Sequence, residues 1–448
     1  MQSQTIRTAS RSVRITVSPQ DSQSCNRGSI PLPTTKGQQK CCPFLLYLHR
    51  KVSTSGPMNK IVIASDSFKG SLSSTEVAEA AAAGIRKTYP SCEIICLGMG
   101  DGGEGTCEAI AHTRSCEWVN IKVNDPLGRT CSAKYAIYED EDGPSAIIEM
   151  AQASGLTLLS TDELNPLQTS TFGTGQMIMD AFSRGCRRFI IGLGGSATND
   201  GGTGMLEAMG FRFMDNAGRA VNGCCGKRLR EIAGIDASEV PAELIGSSFT
   251  SACDGDTVFY GDNGATKIFA PQKGASDSDM EILENGMRSF ASMIMRDYGI
   301  DLGKVNGSGA AGGTAGALYT FLNSRLSKGA DLVLDTVRFD EIIEDADLII
   351  TGEGRIDSQT FCGKLPSRVL SRAAVKDIPV LAIAGVVDLS QEAICDSGFV
   401  SILPIQPKPT TPQELAAAMH PSTTSENICT TIISHLEFLK FTKRPYKH

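Results

Sequence analysis

The feature that most constrains this chain is a local pattern that occurs four times: an apolar strand, a glycine-rich loop with an acidic residue, and then a helix. In the first copy, "KIVIASDSFKGSLSSTEVAEAAAAGI", Ile61 to Ala64 reads as a buried strand, and Ser73 followed by Glu76 predicts a capping box. The other copies are "EIICLGMGDGGEGTCEAIA", "RRFIIGLGGSATNDGGTGMLEAM" and "ADLIITGEGRIDSQTFCGKLPSRVLSRAAV". This alternation predicts parallel sheets with helices on their faces, and therefore an α/β fold.

The alternation is interrupted in the middle of the chain. Between about residues 120 and 327 there are more turns and long glycine-rich loops, and the simple pattern returns from Asp331 onward. We therefore expect one discontinuous α/β domain, residues 58–118 and 328–440, interrupted by a second α/β domain, residues 119–327. Ligands of parallel sheets bind outside the carboxyl ends of the strands, which is where the glycine-rich loops should lie.

Residues 1–57 differ in composition from the rest. They hold eight Lys or Arg and one acid, Asp21, so they carry +7, while the whole chain carries −8 and the remainder therefore −15. We expect a disordered leader that contributes nothing to the fold. A basic, nearly acid-free leader is also typical of an organelle transit peptide, which is the alternative.

Composition excludes several classes of protein. No run approaches the roughly 20 apolar residues of a membrane span, and an acidic chain is a poor partner for nucleic acid. The 15 cysteines show no C-x-x-C pair and no zinc-ligand spacing, which favours reduced thiols and a cytoplasmic protein.

The glycine-rich loops have the chemistry of phosphate sites. Glycine lets backbone N–H groups approach a ligand closely, and a loop that opens a helix adds the positive end of the helix dipole. A single loop of this kind is more often only a tight turn, but here the acids recur: Asp66, Asp101, Glu104, Asp200, Glu353 and Asp357. Acids repel phosphate unless a cation lies between them, which points to Mg²⁺. The chain has no P-loop, no protein-kinase motif and no G-x-S-x-G elbow.

Seven motifs together resemble the type I glycerate kinase family. They are "DSFKGSLSS", "DGGEGT", "GGSATNDGG", "GDNGA", "PQKGA", "GAAGG" and "TGEGRID", and they span about residues 58–440. The resemblance implies phosphorylation of D-glycerate by ATP with Mg²⁺, typically at the 2-hydroxyl, to give 2-phosphoglycerate. It also implies a flavodoxin-like (Rossmann-like) parallel-sheet domain interrupted by a second, swivelling α/β domain. The oligomeric state is left open, and a homo-oligomer is compatible with the sequence.

Site residues are carried over from these motifs. Asp200 is the first choice for the group that orients the substrate hydroxyl and accepts its proton, with Asp66 next; as an alternative, Asp200 only caps the helix that follows. Lys69 and Arg355 are expected to bind the glycerate carboxylate or the transferring phosphoryl group. Expected phosphate or nucleotide contacts are Gly194, Gly195, Ser196, Thr198, Gly102, Gly103 and Lys273. Expected substrate contacts are Ser71, Asp254 and Asp357. Expected Mg²⁺ ligands are Asp101 and Glu353.

The chain departs from the family pattern in three places. The leader 1–57 has no counterpart in the typical family member. The other two are "ACDGDTVF" at 252–259 and "NGCCGKRL" at 222–229, from which a role is carried over only for Asp254, which matches. Two other functions are alternatives: a metal-assisted phosphatase of a small phosphorylated acid, and a non-catalytic sugar-acid sensor. ATP consumption with and without glycerate separates a kinase from both.

Overall fold

The computed structural model describes residues 58–100, 105–253, 255–407 and 411–442, and the leader 1–57 lies outside them. The strands are β1 (Lys60–Ser65), β2 (Glu93–Gly98), β3 (Cys116–Asn124), β4 (Thr130–Asp140), β5 (Gly143–Glu149), β6 (Arg188–Gly192), β7 (Arg212–Met214), β8 (Ala220–Val221), β9 (Gly234–Asp236), β10 (Ser248–Ala252), β11 (Arg325–Ser327), β12 (Leu348–Ile356), β13 (Val380–Val387) and β14 (Ser401–Pro404).

The α-helices are α1 (Ser74–Thr88), α2 (Thr106–Thr113), α3 (Ala151–Ser154), α4 (Phe172–Ser183), α5 (Thr203–Ala208), α6 (Ala242–Ile245), α7 (Ala265–Phe269), α8 (Asp277–Tyr298), α9 (Thr314–Leu322), α10 (Gly329–Thr336), α11 (Phe339–Ile342), α12 (Leu365–Val375), α13 (Gln391–Asp396), α14 (Pro412–Ala418) and α15 (Pro421–Thr442). Short 3-10 turns cover Leu156–Leu158, Thr161–Glu163, Gly226–Glu231, Pro271–Lys273, Ala310–Gly313 and Ser358–Cys362.

Five strands from the two ends of the described chain form one parallel sheet. Its order is β14-β13-β12-β1-β2, and every neighbouring pair is parallel. The run "KIVIAS" is buried apart from the half-buried Lys60, and the first five residues of "VLAIAGVV" are buried, as expected for strands covered by helices on both faces. The chain adds β2 on one side of β1 and then returns to the other side with β12. This is the flavodoxin-like order, and its switch point lies between β1 and β12.

The segment between β2 and β12 forms two further sheets. The larger has the order β11-β10-β6-β5-β4-β3, in which β3, β4 and β5 are antiparallel neighbours and the other pairs are parallel. The smaller is the antiparallel β8-β7-β9. The molecule is thus an α/β protein with predominantly parallel sheets, as predicted, although the hairpins of β3 to β5 were not expected. Strand β3 begins at Cys116, just before the predicted boundary at residue 119.

Local signals in the sequence account for helix α1. Ser73 is its N-cap and forms the predicted capping box, in which the Ser73 N–H donates to Glu76 Oε2 at 2.8 Å and the Glu76 N–H donates to Ser73 Oγ at 3.3 Å. Gly84 allows close packing, since a Cβ there would lie 2.8 Å from the carbonyl oxygen of Cys429 in α15. Helix α1 therefore packs against α15 on one face of the parallel sheet.

An apolar core is shared by the two large sheets. Ile147 and Ile190 of the six-stranded sheet are buried in the same cluster as Val333 of α10 and Val369 of α12. In the part of the chain that is described, no helix is long and apolar enough to cross a membrane.

Candidate active site

The loop after β1 is the first part of the site. Asp66 follows the last residue of the strand, and its Oδ1 accepts a hydrogen bond from the Ser67 N–H at 2.6 Å. The chain then turns back on itself, with the Phe68 N–H donating to the Leu72 carbonyl at 2.9 Å and Gly70 in the left-handed region at φ +80°. This turn exposes Lys69 beyond the carboxyl end of the central strand.

The end of β12 lies beside that loop. The Asp66 N–H donates to the carbonyl of Gly352 at 2.9 Å, which places Asp66 next to Glu353. Glu353 is buried, with 7% of it exposed; its Oε1 accepts a hydrogen bond from Thr360 Oγ1 at 2.5 Å and its Oε2 lies 3.4 Å from Lys364 Nζ. Burial raises the pKa of Glu353, against the opposing effects of Thr360 and Lys364.

Arg355 and Asp357 follow on the same stretch. Arg355 is exposed and forms ion pairs with Asp388 and, at 3.4 Å, with Asp357. The carboxylate of Asp357 also caps the 3-10 turn Ser358–Cys362 by accepting a hydrogen bond from the Gln359 N–H at 2.9 Å. Asp357 therefore holds Arg355 and the turn in place.

The loop after β6 carries a buried lysine against its backbone. Lys273 is only 2% exposed, and its Nζ donates to the carbonyl of Thr198 at 2.6 Å and to Ser196 Oγ at 3.0 Å. Burial lowers the pKa of Lys273 to about 7, and the charge of Asp200 opposes that shift. Among the described residues no carboxylate forms an ion pair with Lys273, so the ammonium group suits an anionic ligand.

Asp200 turns away from this position. It is fully buried, and its Oδ2 accepts hydrogen bonds from the Thr171 N–H at 2.8 Å, Thr171 Oγ1 at 2.7 Å and the Gly204 N–H at 3.2 Å. Its Oδ1 accepts from the Gly202 N–H at 3.1 Å. Burial raises the pKa of Asp200, while these hydrogen bonds favour the charged form. These hydrogen bonds anchor the loop to α5 and to the segment around Thr171. The role of Asp200 as a general base, which must reach the substrate hydroxyl, stays a prediction.

Two cavities meet at the loop after β1. The first, of about 1160 Å³, lies between the carboxyl ends of the two large sheets. The second, of about 610 Å³, lies over the end of the parallel sheet. The residues that line both are Asp66, Ser67, Lys69 and Ser71. Among the described residues, this shared wall is where ligands in the two cavities would touch.

The predicted site residues divide between these cavities. The first is lined by Gly194, Gly195, Ser196 and Lys273, and the second by Glu353 and Arg355. Thr198 is fully buried and, like Asp200 and Asp357, is not part of either wall. Asp101, Gly102, Gly103 and Asp254 lie outside the described residues.

The carboxylates present are compatible with Mg²⁺. No group of three or more His, Cys, Asp or Glu side chains converges on one point within the described ranges. Mg²⁺ is commonly held by only one or two carboxylates together with phosphate oxygens, so a full protein cage is not required. Glu353, partly neutralised by Lys364 in the wall of the second cavity, is a suitable oxygen donor.

Sequence reasoning missed Glu149, the last residue of β5. It lines the first cavity, and its Oε1 accepts a hydrogen bond from the N–H of Cys107 in the first turn of α2 at 2.8 Å. The signal was present in "SAIIEM", where an acid directly follows an apolar strand, as it does in "VIASD". It was overlooked because no glycine-rich loop follows.

Comparison with known proteins gives a consistent result. The model of the glycerate kinase family matches residues 61–436. Glycerate 2-kinase of Escherichia coli K12 is 43% identical over 327 residues, covering 73% of this chain and 85% of that protein. Glycerate kinase of Bacillus subtilis 168 is 42% identical over 348 residues, covering 78% and 90%. A crystal structure from Salmonella typhimurium LT2, provisionally named glycerate kinase 2, superposes with a TM-score of 0.76 at 38% identity, covering 86% of this chain and 99% of that one.

Proposed function

The chain belongs to the glycerate kinase family, and we propose that it transfers the γ-phosphoryl group of ATP to the 2-hydroxyl of D-glycerate, giving 2-phosphoglycerate and ADP. The observation that carries the proposal is the shared wall, Asp66 to Ser71, between two cavities. One cavity holds ATP, the phosphoryl donor, and the other holds glycerate, the acceptor. The γ-phosphorus of ATP and the hydroxyl of glycerate meet at the shared wall. Phosphoryl transfer depends mainly on such positioning and on neutralising charge.

Asp66 is the proposed base. Its carboxylate lies at the end of β1 and lines both cavities. It accepts the proton of the glycerate hydroxyl as the oxygen forms a bond to the γ-phosphorus and the bond to the ADP oxygen breaks. Lys69, on the same turn, stabilises the negative charge on the transferring group.

Mg²⁺, when bound with ATP, would neutralise charge on the phosphate oxygens. Glu353 is its proposed ligand, with Asp101 as the partner expected from sequence. Arg355, fixed by Asp357 and Asp388, supplies positive charge at the same end of the second cavity.

The division into domains and their closure remain part of the proposal. Groups on both sides of the first cavity, such as Lys69 and Lys273, must approach one ligand. We therefore propose that 119–327 swivels against 58–118 and 328–440 when substrates bind, which would exclude water from the reacting groups. The described cysteines are all free thiols, which is consistent with the cytoplasm as the compartment.

The test is ADP release on a panel of small hydroxy acids with ATP and Mg²⁺. We expect turnover with D-glycerate that depends on both the acid and the nucleotide. Release of inorganic phosphate from phosphoglycerates without any nucleotide would show that the protein is a phosphatase and not a kinase. Binding of glycerate without turnover of ATP would leave only a sensor.

A further inference from the structure

We propose that the second cavity is the nucleotide site, with the adenine ring against its apolar wall and the phosphates directed to the shared wall, and that the first cavity receives glycerate. This assignment rests on the proposed function. It revises the expectation that Gly194 to Ser196 hold the nucleotide.

The second cavity lies at the switch point of the parallel sheet. Asp66 follows β1, Gly354 and Arg355 belong to the end of β12, and Gly385 and Val386 to the end of β13, and all of them line it. Crevices at this point of a doubly wound sheet are where such folds bind nucleotides. Gly385 keeps β12 and β13 close there, since a Cβ at that position would lie 2.7 Å from the carbonyl oxygen of Gly354.

One part of the wall of this cavity suits an aromatic base. It is lined by the apolar side chains of Val386, Ile405, Leu415 and Met419. A volume of about 610 Å³ is large enough for a nucleotide.

Another part of the wall suits phosphate. Helix α12, eleven residues long, begins at this cavity, and its N-cap Lys364 makes no side-chain cap hydrogen bond. Gly363 precedes it in the left-handed region at φ +110°. Lys69, Arg355 and Lys364 bring three cations to the same wall, where a triphosphate needs several positive groups.

The first cavity has a different character. Lys273, at its inner wall, is a single ammonium group with its pKa lowered to about 7. Lys69 and Lys134 also line this cavity, and Lys134 is paired with Glu108 at 3.1 Å. Lys273 is a buried cation of the wall, and its one positive charge beside Ser196 matches the single charge of a carboxylate. Glycerate held there by its carboxylate can direct its hydroxyl to Asp66 in the shared wall.

Alkylation of Cys362 can report which ligand occupies the second cavity. It is exposed and lines the second cavity, whereas Cys395 in α13 is exposed and lines neither cavity. The full chain would be treated briefly with iodoacetamide, and alkylation of each cysteine quantified by peptide mass spectrometry. We expect a non-hydrolysable ATP analogue with Mg²⁺ to slow alkylation of Cys362 at least tenfold and to leave Cys395 unchanged, while D-glycerate alone protects neither. Protection of Cys362 by glycerate and not by the analogue would overturn the assignment.

A pair of variants on α14 separates occupancy from indirect protection. Ala418→Trp places an indole in the cavity, and Ala416→Trp places one on the exposed surface of the same helix. We expect Ala418→Trp to raise the KM for ATP at least tenfold with the KM for glycerate within twofold, and Ala416→Trp to change neither. A larger effect on glycerate than on ATP would overturn the assignment. If calorimetry detects no binding of the analogue to the unmodified protein at all, the proposed function fails as well.

Discussion

Replacing Lys273 by Met removes a buried charge while keeping most of the side-chain volume. In the protein the ammonium group donates to Ser196 Oγ and to the Thr198 carbonyl and lines the first cavity. A hydrogen bond to a charged group contributes about 2 kcal/mol to binding, which corresponds to roughly a thirtyfold change in affinity. The KM for D-glycerate should therefore be about thirtyfold higher in Lys273→Met at pH 6, where the native lysine is charged.

The advantage of the lysine should disappear as pH rises. The charged form is the form that binds the carboxylate, and the pKa of Lys273 is lowered to about 7. Above that pH the apparent affinity falls with the charged fraction, about tenfold per pH unit. The KM ratio of variant to native protein should fall from about thirty at pH 6 to about one at pH 9. The assay is initial-rate kinetics with varied glycerate at saturating ATP across this range.

The pH dependence of the unfolding free energy gives an independent check of the lowered pKa of Lys273. The pKa is about 7 in the folded protein and 10.5 ordinarily, so between these values the unfolded chain binds a proton that the folded chain does not. This group's contribution to stability therefore rises with pH across that window, by up to about 1.4 kcal/mol per pH unit. The difference in unfolding free energy between native protein and Lys273→Met isolates it from other titrating groups. If the KM ratio and the stability difference are both constant from pH 6 to 9, Lys273 neither has a lowered pKa nor binds glycerate through its charge.

Three further predictions concern the carboxylates, the leader and closure. Asp66→Asn should lower kcat by about 10²-fold or more and leave the KM for ATP little changed. Asp200→Asn should lose about 1–3 kcal/mol of stability and keep kcat within roughly tenfold. Steady-state kinetics and denaturant unfolding of both variants would show the opposite pattern if Asp200 were the base. A protein beginning at Met58, which is only 3% exposed and packs in the core under α1, should turn over like the full chain, and lower activity at equal folded content would mean that the leader matters. Solution scattering should give a smaller radius of gyration with ATP analogue, Mg²⁺ and glycerate than without them, and an unchanged radius would argue against closure.

Local sequence signals predicted much of the fold. The capping box of Ser73 and Glu76 depends on residues close in the chain, and it is confirmed. The antiparallel pairing of β3, β4 and β5 was not predicted, because it depends on contacts between strands and not on the composition of any one strand.

The site was harder to predict because side-chain direction is set at long range. "GGSATNDGG" is compatible with Asp200 facing a ligand or turning inward, and the choice is made by Thr171, which lies 29 residues earlier and donates two hydrogen bonds to it. "PQKGA" marks Lys273 as a basic residue of a loop, yet its burial results from packing against the loop 196–198, more than 70 residues away. Sequence reasoning finds such groups, but their roles follow from the tertiary structure.

The most direct test of the central claim is ³¹P NMR of the reaction of the full chain with ATP, Mg²⁺ and D-glycerate. A phosphate on the 2-hydroxyl is coupled to one proton on carbon, and a phosphate on the 3-hydroxyl to two. We expect a new phosphomonoester doublet that grows in step with the signals of ADP. A triplet would contradict the proposed 2-hydroxyl, and ATP consumed to inorganic phosphate alone, or no change in the presence of bound ATP and glycerate, would contradict the transfer itself.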